Sequence, residues 1–179
     1  VSDETLQENA TTFAKEWFNK ALNNGLAMFQ GNLRNIYIDE GDFDNARRVA
    51  LTAAELGNPT MMLYTGLDCH EHGKFEDAFT WFTKGASLGQ AESIAELADY
   101  YYHFYDTKEL RRLIPYNPVK AIGLYRRAAT KHFSDAGYAA LQAAFGYIFH
   151  IGHLPLDWGL IADLTHMAAT KERFMFSLP

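Results

Sequence analysis

Apolar side chains recur along this chain in steps of three and four residues, and glycines interrupt the pattern at regular intervals. Between Gly73 and Gly89, the residues Phe75, Ala78, Phe79, Phe82 and Ala86 share one helical face, because a helix brings positions three and four apart onto the same side. Gly89 stands where a helix C-terminus takes a left-handed residue. Ala91 opens the next helix, whose inner surface is predicted to be Ile94, Ala95, Leu97, Ala98 and Tyr101. Small residues at Ala78 and Gly85 let two helices approach, and Phe82 fills the gap between them. Such a hairpin cannot bury its apolar face alone and must stack on neighbours.

The unit repeats. Gly25, Gly57 and Gly89 are separated by 32 residues, as are Gly41 and Gly73, each of which precedes a phenylalanine by two positions (Phe43, Phe75). Ala14, Ala46 and Ala78 keep the same interval, and so do Ala21, Ala53 and Gly85; Trp17 and Trp81, like Phe18 and Phe82, lie two intervals apart. This is the signature of an all-α array of stacked helix-turn-helix repeats. The second half stretches the period. A connection over 105–117 contains Leu110, Arg111, Arg112 and Leu113, after which Ala121, Tyr125 and Ala128 take the slots of Ala78, Phe82 and Gly85. Another helix is expected over Ser134–His150, then a turn from Gly152 to Asp157, with Asp157 or a neighbour capping a last helix that reaches Ala169. The expected organisation is one domain over 1–179, with a capping helix at 3–24 and hairpins at about 27–56, 59–88, 91–131 and 135–171. An amphipathic start, from Leu6 through Phe13, Trp17 and Ala21, is expected to form the first outer helix, and the tail Phe174, Met175 and Phe176 to fold back over the last exposed face.

Composition narrows the function. With 48% hydrophobic and 15% aromatic residues the chain can fill a continuous core, and only 5 prolines interrupt its helices. A net charge of -6 argues against a nucleic-acid binder, which needs a basic face for phosphates, and suits a partner with a basic surface. Cys69 is the single cysteine, so no intramolecular disulfide forms. No apolar run approaches a membrane span, and the first residues carry no signal-peptide pattern. These features leave the compartment open, with bacterial cytoplasm and periplasm both compatible.

The Ala–Phe/Tyr–Ala spacing of four then three residues, with Gly66 twelve residues before Ala78, resembles the tetratricopeptide signature. The stretch Lys120 to Ala129, with Ala121, Tyr125 and Ala128, and the stretch Phe75 to Ala91, with Trp81, Phe82 and Gly89, are similar to the SEL-one-like branch of that superfamily. Arg34 and His132 depart from the branch, standing where a small residue and a turn glycine are expected. The resemblance covers about Ala14 to Ala169 and implies a right-handed α-solenoid whose first helices line a concave face that binds a protein or peptide. Members serve as adaptors and scaffolds, and some bacterial ones neutralise a secreted effector.

Projected through the repeat, the concave positions are Met28, Gly31, Asn35, Ile38 and Asp39; then Thr60, Leu63, Leu67, His70 and Glu71; then Glu92, Ala95, Asp99, Tyr102 and His103. Within this stripe Asp39, His70, Glu71, Glu92, Asp99, Tyr102 and His103 form an acidic and aromatic surface, read either as a groove for a basic or mixed segment or as a solvated helix face. The run Tyr100, Tyr101 and Tyr102 surrounds its helix, so part of it is expected to pack under the 105–117 connection. Catalytic and metal chemistry find little support. His70 and His72 lie roughly 200° apart around a helix and cannot share an ion. His150 and His153 are separated by a helix-ending glycine, and Cys69 takes a core slot. The expectation is therefore a cofactor-free, non-catalytic interaction module. Its partner is an effector toxin or other protein with a basic segment; a structural adaptor is the alternative.

Overall fold

The structure, a computed structural model, describes residues 3–26, 30–105, 107–131, 135–149 and 151–172. Among them are ten α-helices, one 3-10 turn (Ile151–His153) and no strand. The helices are α1 (Asp3–Asn23), α2 (Gln30–Asp39), α3 (Phe43–Glu55), α4 (Pro59–Glu71), α5 (Phe75–Ser87), α6 (Ala91–Tyr102), α7 (Lys108–Leu113), α8 (Pro118–Ala129), α9 (Ala136–Ile148) and α10 (Trp158–Glu172). Met28, His132, Ser134, His150 and the 174–176 tail lie outside the described residues, as does the side chain of Leu6.

The periodic glycines are helix stops. Gly25, Gly41, Gly57, Gly73 and Gly89 all have φ between 72° and 95°, the left-handed region that a side chain disfavours. At Gly57 the amide donates to the carbonyl of Ala54, and that of Asn58 to the carbonyl of Ala53, so the last carbonyls of α3 are satisfied. The starts are equally explicit. Asp42 accepts from the Asn45 amide, Asn58 from Thr60 and Met61, Asn117 from Lys120, and Asp157 from Leu160. Each cap contributes about 1 kcal/mol. Pro59 and Pro118 then occupy first-turn positions where no amide is missed.

The chain divides into two compact units, residues 1–84 and 85–179, with the division inside α5. In the first unit α1 packs on α2, α2 on α3 and α3 on α4, around Leu22, Leu33, Tyr37, Val49 and Met61. The large aromatics of the amphipathic start are not what α1 buries. Phe18 and Leu22 meet the core, whereas Phe13 and Trp17 remain 62% and 56% exposed. Lys15, on the inward side, reaches Glu40 at 2.6 Å and orients the helix.

In the second unit α8 lies against both α6 and α9, and α10 against α9. Ile94, Tyr100, Ile122 and Tyr125 are fully buried there. The 105–117 excursion is anchored, because α7 buries Leu110, Ile114 follows it inward, and the Asn117 amide donates to the carbonyl of Tyr101 at 2.9 Å. The tyrosine run divides accordingly. Tyr100 is core, while Tyr102 and His103 stack against Tyr116 from the excursion, with ring centroids 6.0 and 5.4 Å away. His103 ends α6 in the left-handed region, φ 56°, which glycine takes after each of α1 to α5. That conformation costs on the order of 1 kcal/mol. It is held by the ring contact and by Nε2, which donates to the carbonyl of Ile114 at 2.8 Å.

Candidate functional site

At the crossing of α4 with α5 the repeat is closed. Gly66 faces Phe82, and a methyl group added at Gly66 would come within 2.6 Å of the ring, so the absent side chain makes room for the aromatic. One interval earlier the same two slots hold Arg34 and Ala50. Large and small are exchanged, but the substitution does not refill the crossing. Ala50 cannot reach across, and Arg34 turns its guanidinium onto the Tyr64 ring, 3.8 Å from the centroid. A groove of about 850 Å³ is left among α2, α3, α4 and α5, with Arg34 and Ala50 on its walls. That volume falls in the ordinary range of ligand-binding clefts.

A second departure lines the same groove. Thr65 occupies the slot of Leu33 and Leu97, both buried. It is buried too, and its hydroxyl has no hydrogen-bond partner among the described residues. Such a group costs on the order of 1–3 kcal/mol when left unsatisfied.

The two hairpins supply opposite charges. From α2 and α3 come Arg34, Arg47 and Arg48; from α4 and α5 come Asp68, Glu71 and Asp77, with His72 and Lys74 among them. Arg47 is neutralised by Asp44 at 3.0 Å and by Asp68 at 3.7 Å. Among the described residues Arg48 donates only to the neutral Asn45 Oδ1, at 2.8 and 3.1 Å, and Arg34 has only the Tyr64 ring. Phe43, Leu51 and Trp81 provide apolar wall. Cys69 also faces the groove and is half-buried, not enclosed in the core. Burial pushes its thiol above the usual pKa, which keeps it protonated and weakly nucleophilic.

The projected contact residues divide between the two units. Ile38, Leu67 and Glu71 line the groove, and Asp39 is exposed beside it at the end of α2. His70 is half-buried, edge-on to Phe75 at 5.3 Å, and burial lowers its pKa so that the neutral ring prevails near pH 7. In the second unit Glu92 accepts from the Gln90 side chain, and Tyr102 and His103 are half-buried against Tyr116. Asp99 differs from its projected place on an open stripe. It is buried and accepts a hydrogen bond from the Tyr125 hydroxyl, because α8 covers that side of α6.

The Sel1 repeat family model matches residues 8–26, 50–90 and 91–132, together more than half of the chain. The chain belongs to the Sel1 repeat family. Two solved structures are similar to this Sel1 repeat protein. A Sel1 repeat protein from Oxalobacter formigenes shares 22% identity, with a TM-score of 0.72, over 89% of this chain and 64% of its own. A protective antigen of uropathogenic Escherichia coli strains, displaying an SLR fold, shares 18% identity with a TM-score of 0.57, over 88% of this chain and 41% of its own. This chain thus spans less than two thirds of either relative, and at these identities the likeness shows the fold alone, an all-α helical-repeat solenoid. No protein of curated function matches it. Sel1 repeats generally mediate protein–protein interaction.

The stretch between the first two matched segments, 27–49, carries Arg34, Arg47 and Arg48. The basic wall of the groove is therefore where this Sel1 repeat protein leaves the family pattern. In the sequence Arg34 stands out only as a misfit in the repeat, and Arg48 and Thr65 do not stand out. The signal was there, in a charge at a small-residue slot and a hydroxyl at a leucine slot.

Proposed function

We propose that this Sel1 repeat protein is a non-catalytic interaction module that seats a segment of a partner protein in the groove of its first unit. The open crossing at Arg34 and Ala50 carries the reading, since the equivalent crossing at Gly66 and Phe82 is filled. Asp39, His70 and Glu71 lie at or near the groove and extend the contact. Glu92, Tyr102 and His103 offer a second one on the other unit, with Asp99 holding Tyr125 beneath it. The test is capture of complexes from native extract with the wild-type chain and with an Ala50→Phe/Arg34→Gly variant that closes the crossing. A stoichiometric partner retained by the first and lost by the second is expected. A partner held equally by both would move the site elsewhere.

A specific form of this role is an immunity protein that occludes a secreted bacterial effector, a reading supported by the acidic net charge of -6. Co-expression with the captured partner should then restore growth that the partner alone abolishes. The structural-adaptor reading draws on apolar surface away from the groove, where Phe145 and Phe149 are exposed with rings 6.2 Å apart and Phe13 and Trp17 are exposed on α1. It predicts large complexes that survive closure of the groove.

A further inference from the structure

We infer that the groove of the first unit takes a peptide segment in which an acidic side chain stands beside a bulky apolar one, the carboxylate being received by Arg34 and Arg48 and the apolar group by the space that Phe82 fills in the next repeat. The inference deepens the proposed protein-binding role and rests on it. Three independent observations carry it. First, Arg34 and Arg48 line the groove with no carboxylate within ion-pair distance among the described residues, in a chain whose acidic residues outnumber its basic ones by 22 to 16. Arg47, between them in function, is already paired with Asp44 and Asp68 and is not required.

Second, the Arg34 guanidinium carbon lies over the Tyr64 ring, 3.8 Å from its centroid. A guanidinium stacked by its face keeps its N–H edges for other partners, and the fork of an arginine matches a carboxylate in a way a lysine does not. Third, Thr65 is more than nine-tenths buried on the groove wall with its hydroxyl unpaired, at a slot where the neighbouring repeats place leucine. The exchange of leucine for threonine sets a polar side chain into this wall at a position that is purely apolar in the neighbouring repeats. The ligand is amphipathic because the rest of the wall is Ile38, Phe43, Leu51 and Trp81. The acidic wall of Asp68, Glu71 and Asp77 sets its direction, since a carboxylate is repelled from that side and drawn to α2 and α3.

The probe is a random seven-residue displayed peptide library, panned against the full chain and counted by sequencing. Enriched sequences should carry Asp or Glu within two positions of an aromatic or large aliphatic residue. Synthetic versions should bind at least about tenfold more weakly to Arg34→Ala and to Arg48→Ala, the loss of one charged hydrogen-bonded pair. Arg48 is exposed, so that variant tests the charge without disturbing the fold. Binding should also weaken as salt is raised. Enrichment of basic sequences, or acidic ones that bind both arginine variants and the Ala50→Phe/Arg34→Gly variant unchanged, would overturn the inference while leaving protein binding at another surface intact. No enrichment from a chain that still captures a partner from extract overturns it as well. Loss of both peptide and partner binding in wild type would sink the interaction module itself.

Discussion

Two crossings, one interval apart in the same unit, share a backbone plan and differ in what meets at the centre. In α4–α5, Gly66 and Phe82 form a filled contact in which the glycine is required by the ring 2.6 Å from where its Cβ would be. In α2–α3, Arg34 and Ala50 occupy those slots and a groove remains. The contrast shows how a repeat protein acquires a site without changing its helices. An aromatic is removed from one copy of a structural contact, its space is kept, and a charge is placed at the rim. The second unit shows a third outcome. Tyr125 takes the Phe82 slot, is as buried as Phe82, and adds a hydroxyl that donates to Asp99.

The largest effect should come from emptying the filled crossing. Phe82→Ala is expected to cost about 3–5 kcal/mol, and Tyr125→Ala as much in its own unit, read by urea denaturation. A near-neutral result at either position would mean that the repeat register is wrong. Next comes the pH dependence peculiar to the Tyr125 version. Burial raises the Asp99 carboxyl from 3.8 to about 7, with the Tyr125 hydrogen bond opposing the shift and Glu96 adding to it. Because the folded state binds this proton more tightly than the unfolded state, the associated stability is complete below about pH 4 and is lost as pH rises through about 7. The loss is at most about 4 kcal/mol, and Asp99→Asn should flatten it in thermal melts between pH 5 and 8 apart from the share due to Glu96, whose carboxyl is also raised by burial. A wild-type curve that rises over this range would contradict the burial of Asp99.

Gly66→Ala should cost about 1–3 kcal/mol through overpacking against Phe82, with Phe82→Leu in the same chain recovering part of it. Thr65→Val, nearly isosteric, should stabilise by about 1 kcal/mol, since it deletes an unsatisfied buried hydroxyl. If it destabilises instead, the hydroxyl has a partner in solution and the groove loses one of its arguments. Smallest of all, Arg34→Ala should move stability by only about 0.5–1 kcal/mol, the value of a partly exposed cation–π stack, so any large loss of binding in that variant is attributable to the groove.

Much of the fold was legible because its signals are local. The glycine stops, the cap at Asp157 and the three-and-four spacing each act within a few residues. The face of α1 was not legible. Phe13 and Trp17 look like the inner stripe by composition, but only packing on α2 decides that Phe18 and Leu22 face inward. The candidate site was half legible. Glu71, Ile38 and Leu67 follow from the repeat register, whereas a groove is a volume left between four helices and depends on what does not fill it.

Sequence alone therefore determined the repeat helices, their glycine stops and the family, since backbone hydrogen bonding and a repeated short-range pattern answer to nearest neighbours. Tertiary structure decided the burial of Asp99 under α8, the anchoring of the 105–117 excursion by His103 and Leu110, and the open crossing at Arg34 and Ala50. Each of these depends on which side chains meet across helices, and a difference in volume between residues far apart in the chain becomes a cavity only when the helices carrying them are packed together.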